Sequence, residues 1–175
     1  MNVRFFAHMT AILSPRYDMA KDKAAEILRQ YEIEEPIIPI TRLAEKHGLT
    51  VKVLQFPETL RDVAGFFDPE QKIIFVNRAD PPNRQTFTIA HELGHFILGH
   101  KPNEYGVLPR YPRPKEDNPI EKEANCFAAS LLVPLDMLKK IMKQYSLNKT
   151  DADQELLAGI FGVSTDVIKF RLKWI

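Results

Sequence analysis

The sequence predicts an α+β domain organised around one buried helix. Three observations point there. Apolar residues recur at helical spacing in residues 18–31 and 40–46, the period switches to two between residues 49 and 77, and TIAHELGHFILGH at 88–100 is apolar on almost every side. A helix without a polar face belongs in a core.

The opening MNVRFFAHMTAILSPR reads as a strand or extended arm, because it carries His8, lacks a small-x-small cleavage pattern and is too short to span a bilayer. In DMAKDKAAEILRQY, Ala20, Ala24, Ile27, Leu28 and Tyr31 line one helical face, and the helix ends before Pro36. A second helix, Ile40 to Lys46, turns Leu43 and Ala44 inward and stops at His47-Gly48, where glycine suits a left-handed C-cap. His47 reads as a cation near a helix C-terminus or a plain surface residue. LTVKVLQF, VAGFF and KIIFVN then read as three strands. Asp68-Pro69-Glu70-Gln71 fits a type I turn, which makes residues 63–77 a hairpin.

Asp80-Pro81-Pro82 breaks the sheet and opens the buried helix, since proline is tolerated in a first turn. KPNEYGVLPRYPRPKEDNP, residues 101–119, holds five of the 13 prolines and should be a long irregular loop. A further helix starts near Asn118-Pro119 and runs through IEKEANCFAASLLVP to Pro134. Residues 154–174 form two short helices around Gly162-Val163-Ser164. At 175 residues the chain fits one domain, 1–175, with 154–175 as a C-terminal helical subdomain. A net charge of +1 gives no electrostatic case for nucleic acid or an anionic membrane, and the single Cys126 fits a reducing compartment such as the cytoplasm.

Burying His91, Glu92 and His95 in an apolar helix is costly unless they are paired or bound to metal. His91 and His95 lie one turn apart with Glu92 beside them, the H-E-x-x-H arrangement in which two imidazoles hold zinc and the carboxylate acts as general base. A catalytic zinc takes a third protein ligand, for which His100, Glu104, Glu116, Asp117, Glu121 and Glu123 are candidates. His100 stands five residues after His95, one short of the metzincin spacing, and that displacement rotates it by about 100°. Glu121 shares a helix face with Asn125, Ala128 and Leu132, and Asn125 is placed to orient a ligand histidine. With Asn118 as N-cap, Glu121 equally fits the third position of a capping box.

RQTFTIAHELGHFILGH followed by EKEANCFAASLLVP strongly resembles the ImmA/IrrE family of zinc metallopeptidases, whose signature is H-E-x-x-H and, after a variable loop, E-x-x-A-N-x-F-A-A-x-L-L-x-P. The likeness extends through the N-terminal helices, AGFF, KIIFVN and LAGIFGVSTDVIKFRL; Val133 replaces a common methionine. The resemblance implies a zincin-like α+β fold with a small three-stranded, antiparallel-containing sheet, an active-site helix, a glutamate-ligand helix and a C-terminal helical pair. It implies His91, His95 and Glu121 as zinc ligands, Glu92 as catalytic base and Asn125 as the family's asparagine, resembling the aspartate that follows the ligand glutamate of gluzincins.

The implied chemistry is peptide hydrolysis by a zinc-activated water, with Glu92 shuttling the proton. His100, Tyr105, Arg110 and Tyr111 are candidate donors to the developing oxyanion, or lid residues over the cleft. A substrate strand is expected along an exposed edge of the 63–77 hairpin. Family members cleave helix-turn-helix repressors and act in mobile elements, stress responses or beside toxin–antitoxin systems, which implies a repressor or antitoxin-like protein partner. Two other classes compete. A cysteine hydrolase would need Cys126, which lies about 140° round the helix from the metal side. A metal-stabilised protein- or DNA-binding module would use the C-terminal pair, offering Lys169, Arg171 and Lys173 to phosphates, against which Val167, Ile168, Phe170, Leu172 and Trp174 look committed to packing.

Overall fold

A computed structural model describes residues 14–101, 108–109 and 118–175. Helices α1 (Tyr17–Gln30) and α2 (Ile40–Lys46) precede strand β1 (Thr50–Leu54) and the hairpin of β2 (Val63–Asp68) and β3 (Ile73–Asn77). Helix α3 (Pro82–Ile97), the two-residue strand β4 (Leu108–Pro109), and helices α4 (Pro119–Leu132), α5 (Leu135–Gln144), α6 (Asp151–Phe161) and α7 (Thr165–Leu172) follow. The helical and strand spans agree with the periodicities, with two additions. Pro134, read as a stop, is also the N-cap of α5, whose Met137, Leu138 and Ile141 are buried. β4 arises within the stretch read as irregular.

Among the described residues the three expected strands are thus joined at the β2 edge by the short β4, in the order β1-β3-β2-β4. β1 runs parallel to β3, with Val51 beside Ile74 and Val53 beside Val76. β2 is antiparallel to β3, Phe66 facing Phe75, and the expected turn is held by Asp68, whose Oδ1 accepts from the Glu70 and Gln71 amides, each at 3.0 Å. β4 pairs with the other edge of β2 at Val63 and Gly65. The hairpin edge expected to take a substrate strand is thus occupied by β4 at Val63 and Gly65.

α4 is the central helix, packed between α1 and α3, and its Phe127, Ala128 and Leu131 are fully buried with Leu93 of α3 and Ala24 of α1. α3 also crosses the sheet. A Cβ on Gly65 would run into Thr88 Cγ2 and the Phe75 carbonyl, so glycine lets β2 lie directly on α3 one turn before His91. Gly94 does the same for α4: a Cβ there would come within 2.8 Å of Phe127 Cδ1. These two contacts draw β2, α3 and α4 together at one point.

The C-terminal pair turns at Gly162, whose φ of +67° is the left-handed cap expected from the sequence, and α6 starts with a capping box between Thr150 and Asp153. Arg171 is 2 % exposed and donates to the Val133 carbonyl at 2.9 Å and to Ser130 Oγ at 3.0 Å. It caps the C-terminal end of α4 and is not offered to phosphates, which removes the central cation of the DNA-binding reading. His47 sits at the end of α2 but against the Tyr31 ring, and burial lowers its pKa, so the expected cation is disfavoured. No helix among the described residues is long and apolar enough to cross a membrane.

Candidate active site

α3 begins with Pro82 in its first turn and becomes buried from Thr88 onward, which takes His91, Glu92 and His95 into the interior. Asn118 caps α4 by accepting from the Ile120 amide at 3.0 Å, and the first turn then presents Glu121 to α3. Its carboxylate lies 3.2 Å from His91 Nε2 and 3.4 Å from His95 Nε2. The two Nε2 atoms are 2.9 Å apart. The capping-box alternative for Glu121 therefore gives way to a carboxylate facing both imidazoles.

His91 Nδ1 donates to Asn125 Oδ1 at 2.9 Å, which leaves its Nε2 lone pair turned to Glu121. His95 Nδ1 lies 2.9 Å from His100 Nδ1, and His100 Nε2 donates to Glu123 Oε2 at 3.0 Å. Glu123 in turn accepts from the Arg16 backbone amide at 2.8 Å and from Arg16 Nη2 at 2.7 Å. The convergent atoms of His91, His95 and Glu121 lie within 4.8 Å of one another and are acceptors. Two imidazole lone pairs and a carboxylate pointed at one spot repel unless a cation sits between them; nitrogen and oxygen donors of this kind, with one carboxylate, fit zinc.

The electrostatics follow from burial and this convergence. Burial opposes a charge on His91, but Glu121 first and then Glu92 and Asn125 outweigh it and raise its pKa. Burial pushes His95 down to about 4. Burial also opposes the Glu121 carboxylate, yet the facing His91 and His95 rings, which donate to it only when protonated and without a metal, prevail and hold its pKa far below the usual range. His100 is lowered by burial, so it is neutral near pH 7 despite Glu123. Glu92 is 1 % exposed, and desolvation raises it to about 7 against the opposing His91 charge. Neither of its oxygens has a hydrogen-bond partner among the described residues; the Phe67 backbone N–H only weakly favours the charged form. A buried carboxylate brought to titrate near 7 beside a cluster that could hold a metal ion is a candidate proton-transfer group.

Residues 44–173 match the peptidase family described as the IrrE N-terminal-like domain. The chain belongs to this family. It is 35 % identical over 82 residues to the radiation response metalloprotease IrrE of Deinococcus radiodurans, covering 46 % of this chain and 25 % of that one. To its counterpart in Deinococcus deserti it is 34 % identical over 101 residues, 57 % of this chain and 35 % of the relative. The chain thus spans about a quarter to a third of the length of the curated relatives it matches. A Mycobacterium tuberculosis transcriptional regulator shares the fold, with a TM-score of 0.61 and 18 % identity over 88 % of this chain and 46 % of that one. As an IrrE N-terminal-like domain the chain has the α+β, zincin-like architecture that its motifs imply, and its His91–His95–Glu121 cluster can hold a metal ion consistent with zinc.

The structure brings His91, Glu92, His95, Glu121 and Asn125 together. It places His100 elsewhere than expected: the ring lies behind His95, on the side away from Glu121, and is engaged with Glu123. Tyr105, Arg110 and Tyr111, with Glu104, Glu116 and Asp117, lie outside the described residues, as does the lid they were expected to form. Cys126 is buried toward α1, its thiol 3.8 Å from the Tyr17 carbonyl and its pKa raised by burial, which fits a core residue and not a nucleophile. Arg16 escaped sequence reasoning because it meets Glu123 across 107 residues and no local spacing marks it. Glu123 carried a signal: it falls on the α4 face that Ile120 and Phe127 commit to the core. Beside His91, a cavity of about 780 Å³ opens between Phe87, Asn125, Lys122, Val167 and Phe170.

Proposed function

We propose that this chain is a zinc-dependent endopeptidase in which His91, His95 and Glu121 hold the metal and Glu92 is the general base. The observation that carries this reading is Glu92: a carboxylate with no hydrogen-bond partner among the described residues, held by α3 next to three converging ligand atoms. A bound zinc supplies Lewis acidity toward a peptide carbonyl and acidifies water at that point. Glu92, raised to about 7 by desolvation, takes the proton of the attacking water on a carboxylate oxygen and delivers it to the departing amide nitrogen. Asn125 holds the His91 tautomer, so Nε2 stays available. The stretch of β2 beyond Gly65, whose Phe67 N–H points toward Glu92, suits an extended peptide laid across the site, and the 780 Å³ cavity beside His91 gives side-chain room next to it.

The substrate class in this reading is a regulatory protein, a helix-turn-helix repressor or antitoxin-like partner; the family resemblance suggests that class, and the protease names of the Deinococcus relatives support a protein substrate. A role in a stress response or on a mobile element belongs to the same reading. The chain acts as one domain, because Arg171 ties the C-terminal pair to α4, and a cytoplasmic setting fits its single buried cysteine. Direct nucleic-acid binding is not part of it, since Arg171 is buried. The test is Glu92→Gln against the parent, both zinc-loaded, on a repressor co-purified with the chain. The variant should keep its zinc and lose cleavage by about 10²–10⁴-fold. Equal cleavage by both would remove Glu92 from the mechanism, and cleavage by neither favours a metal-stabilised binding module.

A further inference from the structure

His95 is the more deeply supported of the two histidines, and the chemistry of its support is fixed from one end. Arg16 binds Glu123 through its backbone amide at 2.8 Å, Nε at 3.0 and 3.1 Å and Nη2 at 2.7 Å, a forked contact that aims a carboxylate with no exposed surface. An ionised carboxylate can only accept, so the 3.0 Å contact to His100 Nε2 places that ring's single proton on Nε2. The other nitrogen of a neutral ring is then bare. His100 Nδ1 lies 2.9 Å from His95 Nδ1, on the side away from the converging ligand atoms where no cation can bridge them, so at this contact one nitrogen must donate. His95 therefore carries its proton on Nδ1 and turns a lone pair, on Nε2, toward Glu121 and His91.

We propose that Glu123 and His100 are positioning residues for zinc binding: anchored by Arg16, they impose the tautomer and ring orientation that turn the His95 Nε2 lone pair toward the metal position it shares with Glu121 and His91. This rests on the reading of His91, His95 and Glu121 as the ligand set. Asn125 does the corresponding work for His91 in one step; His95 is served by a relay of two side chains starting on α4 and anchored just ahead of α1. The alternative tautomer would put an N–H where the lone pair is needed and exclude the metal.

The test uses the full chain and zinc itself, titrated against a chromogenic chelator. His100→Leu keeps apolar volume without hydrogen bonds. His100→Gln has an amide oxygen and nitrogen spaced much like the two ring nitrogens, so it can accept from His95 and donate to Glu123. Zinc affinity should fall about 10–100-fold in His100→Leu and return to within about threefold of the parent in His100→Gln. Cobalt-substituted protein should show a changed visible ligand-field spectrum in the leucine variant and a parental one in the glutamine variant. A merely structural role moves the melting temperature of both without separating their affinities. Glu121→Ala serves as the control. If it loses zinc while the leucine and glutamine variants bind equally, the relay is wrong and the ligand set stands; if it binds zinc like the parent, both are overturned.

Discussion

α4 buries charge at two places, and the two are built differently. Near its N-terminal end, against α3, Glu92 is buried with neither oxygen hydrogen-bonded among the described residues, while Glu121 faces two imidazoles whose ligand atoms converge with its own on one point. Near its C-terminal end, Arg171 is equally buried but donates to the Val133 carbonyl and Ser130 Oγ. The second arrangement is complete as it stands, so it stabilises; the first is incomplete without metal, water or substrate, so it costs stability and holds reactivity. What separates a structural buried charge from a functional one here is the satisfaction of its bonds, not its depth.

The largest effect that would break this contrast concerns Glu92 in chelator-treated protein. Its folded pKa lies near 7, above the ordinary 4.5, so the folded state holds its proton more tightly than the unfolded chain. That contribution is fully present below pH 4.5 and is lost as pH rises through 7, a penalty on the order of 3 kcal/mol by pH 8. Glu92→Gln cannot ionise, so its melting temperature should exceed the parent's at pH 8 and approach it at pH 4. A constant difference across that range would mean that the carboxylate is satisfied after all. Smaller is Gly94→Ala, which forces the α3–α4 seam apart at Phe127; chemical unfolding should show a loss of about 1–3 kcal/mol together with weaker zinc binding. Smallest is Arg171→Met, which keeps the packing of the side-chain stem but leaves the Val133 carbonyl and Ser130 without their donor. It should cost about 1–2 kcal/mol in the same measurement and leave zinc affinity unchanged, because the change is confined to the far end of α4.

The two regions also differ in how legible they were. His91, Glu92 and His95 fall within five residues, so spacing alone marks them as a candidate cluster, whereas Glu121 and Asn125, within five more, were singled out by the family resemblance, since spacing left Glu121 open between a ligand and a cap. The hairpin was legible through Asp68, a turn residue whose hydrogen bonds are local. β4 was not, because two residues of a proline-rich stretch become a strand only through the partner edge of β2. α5 was overlooked because Pro134 ends one helix and caps the next, two roles that the same ring permits. The direction of His100 depends on Glu123, and that of Glu123 on Arg16, so its place behind His95 followed from tertiary contacts that no pattern in residues 88–100 encodes.

The long reach of the Arg16–Glu123 contact bears on the order in which the chain assembles. The His91–Asn125 bond closes a loop of 34 residues, whereas Arg16 and Glu123 are 107 apart. Closing the longer loop from an open chain costs about 1 kcal/mol more in entropy. By loop closure alone, pairing of α3 with α4 is favoured over the contact that brings the segment ahead of α1 to α4. During synthesis residue 16 leaves the ribosome long before residue 123, so the anchor of the relay waits for most of the chain before it can act. On the proposed ligand set and relay, the converging side chains can therefore meet before their anchor arrives, so zinc binding followed during refolding is expected to trail the pairing of α3 with α4.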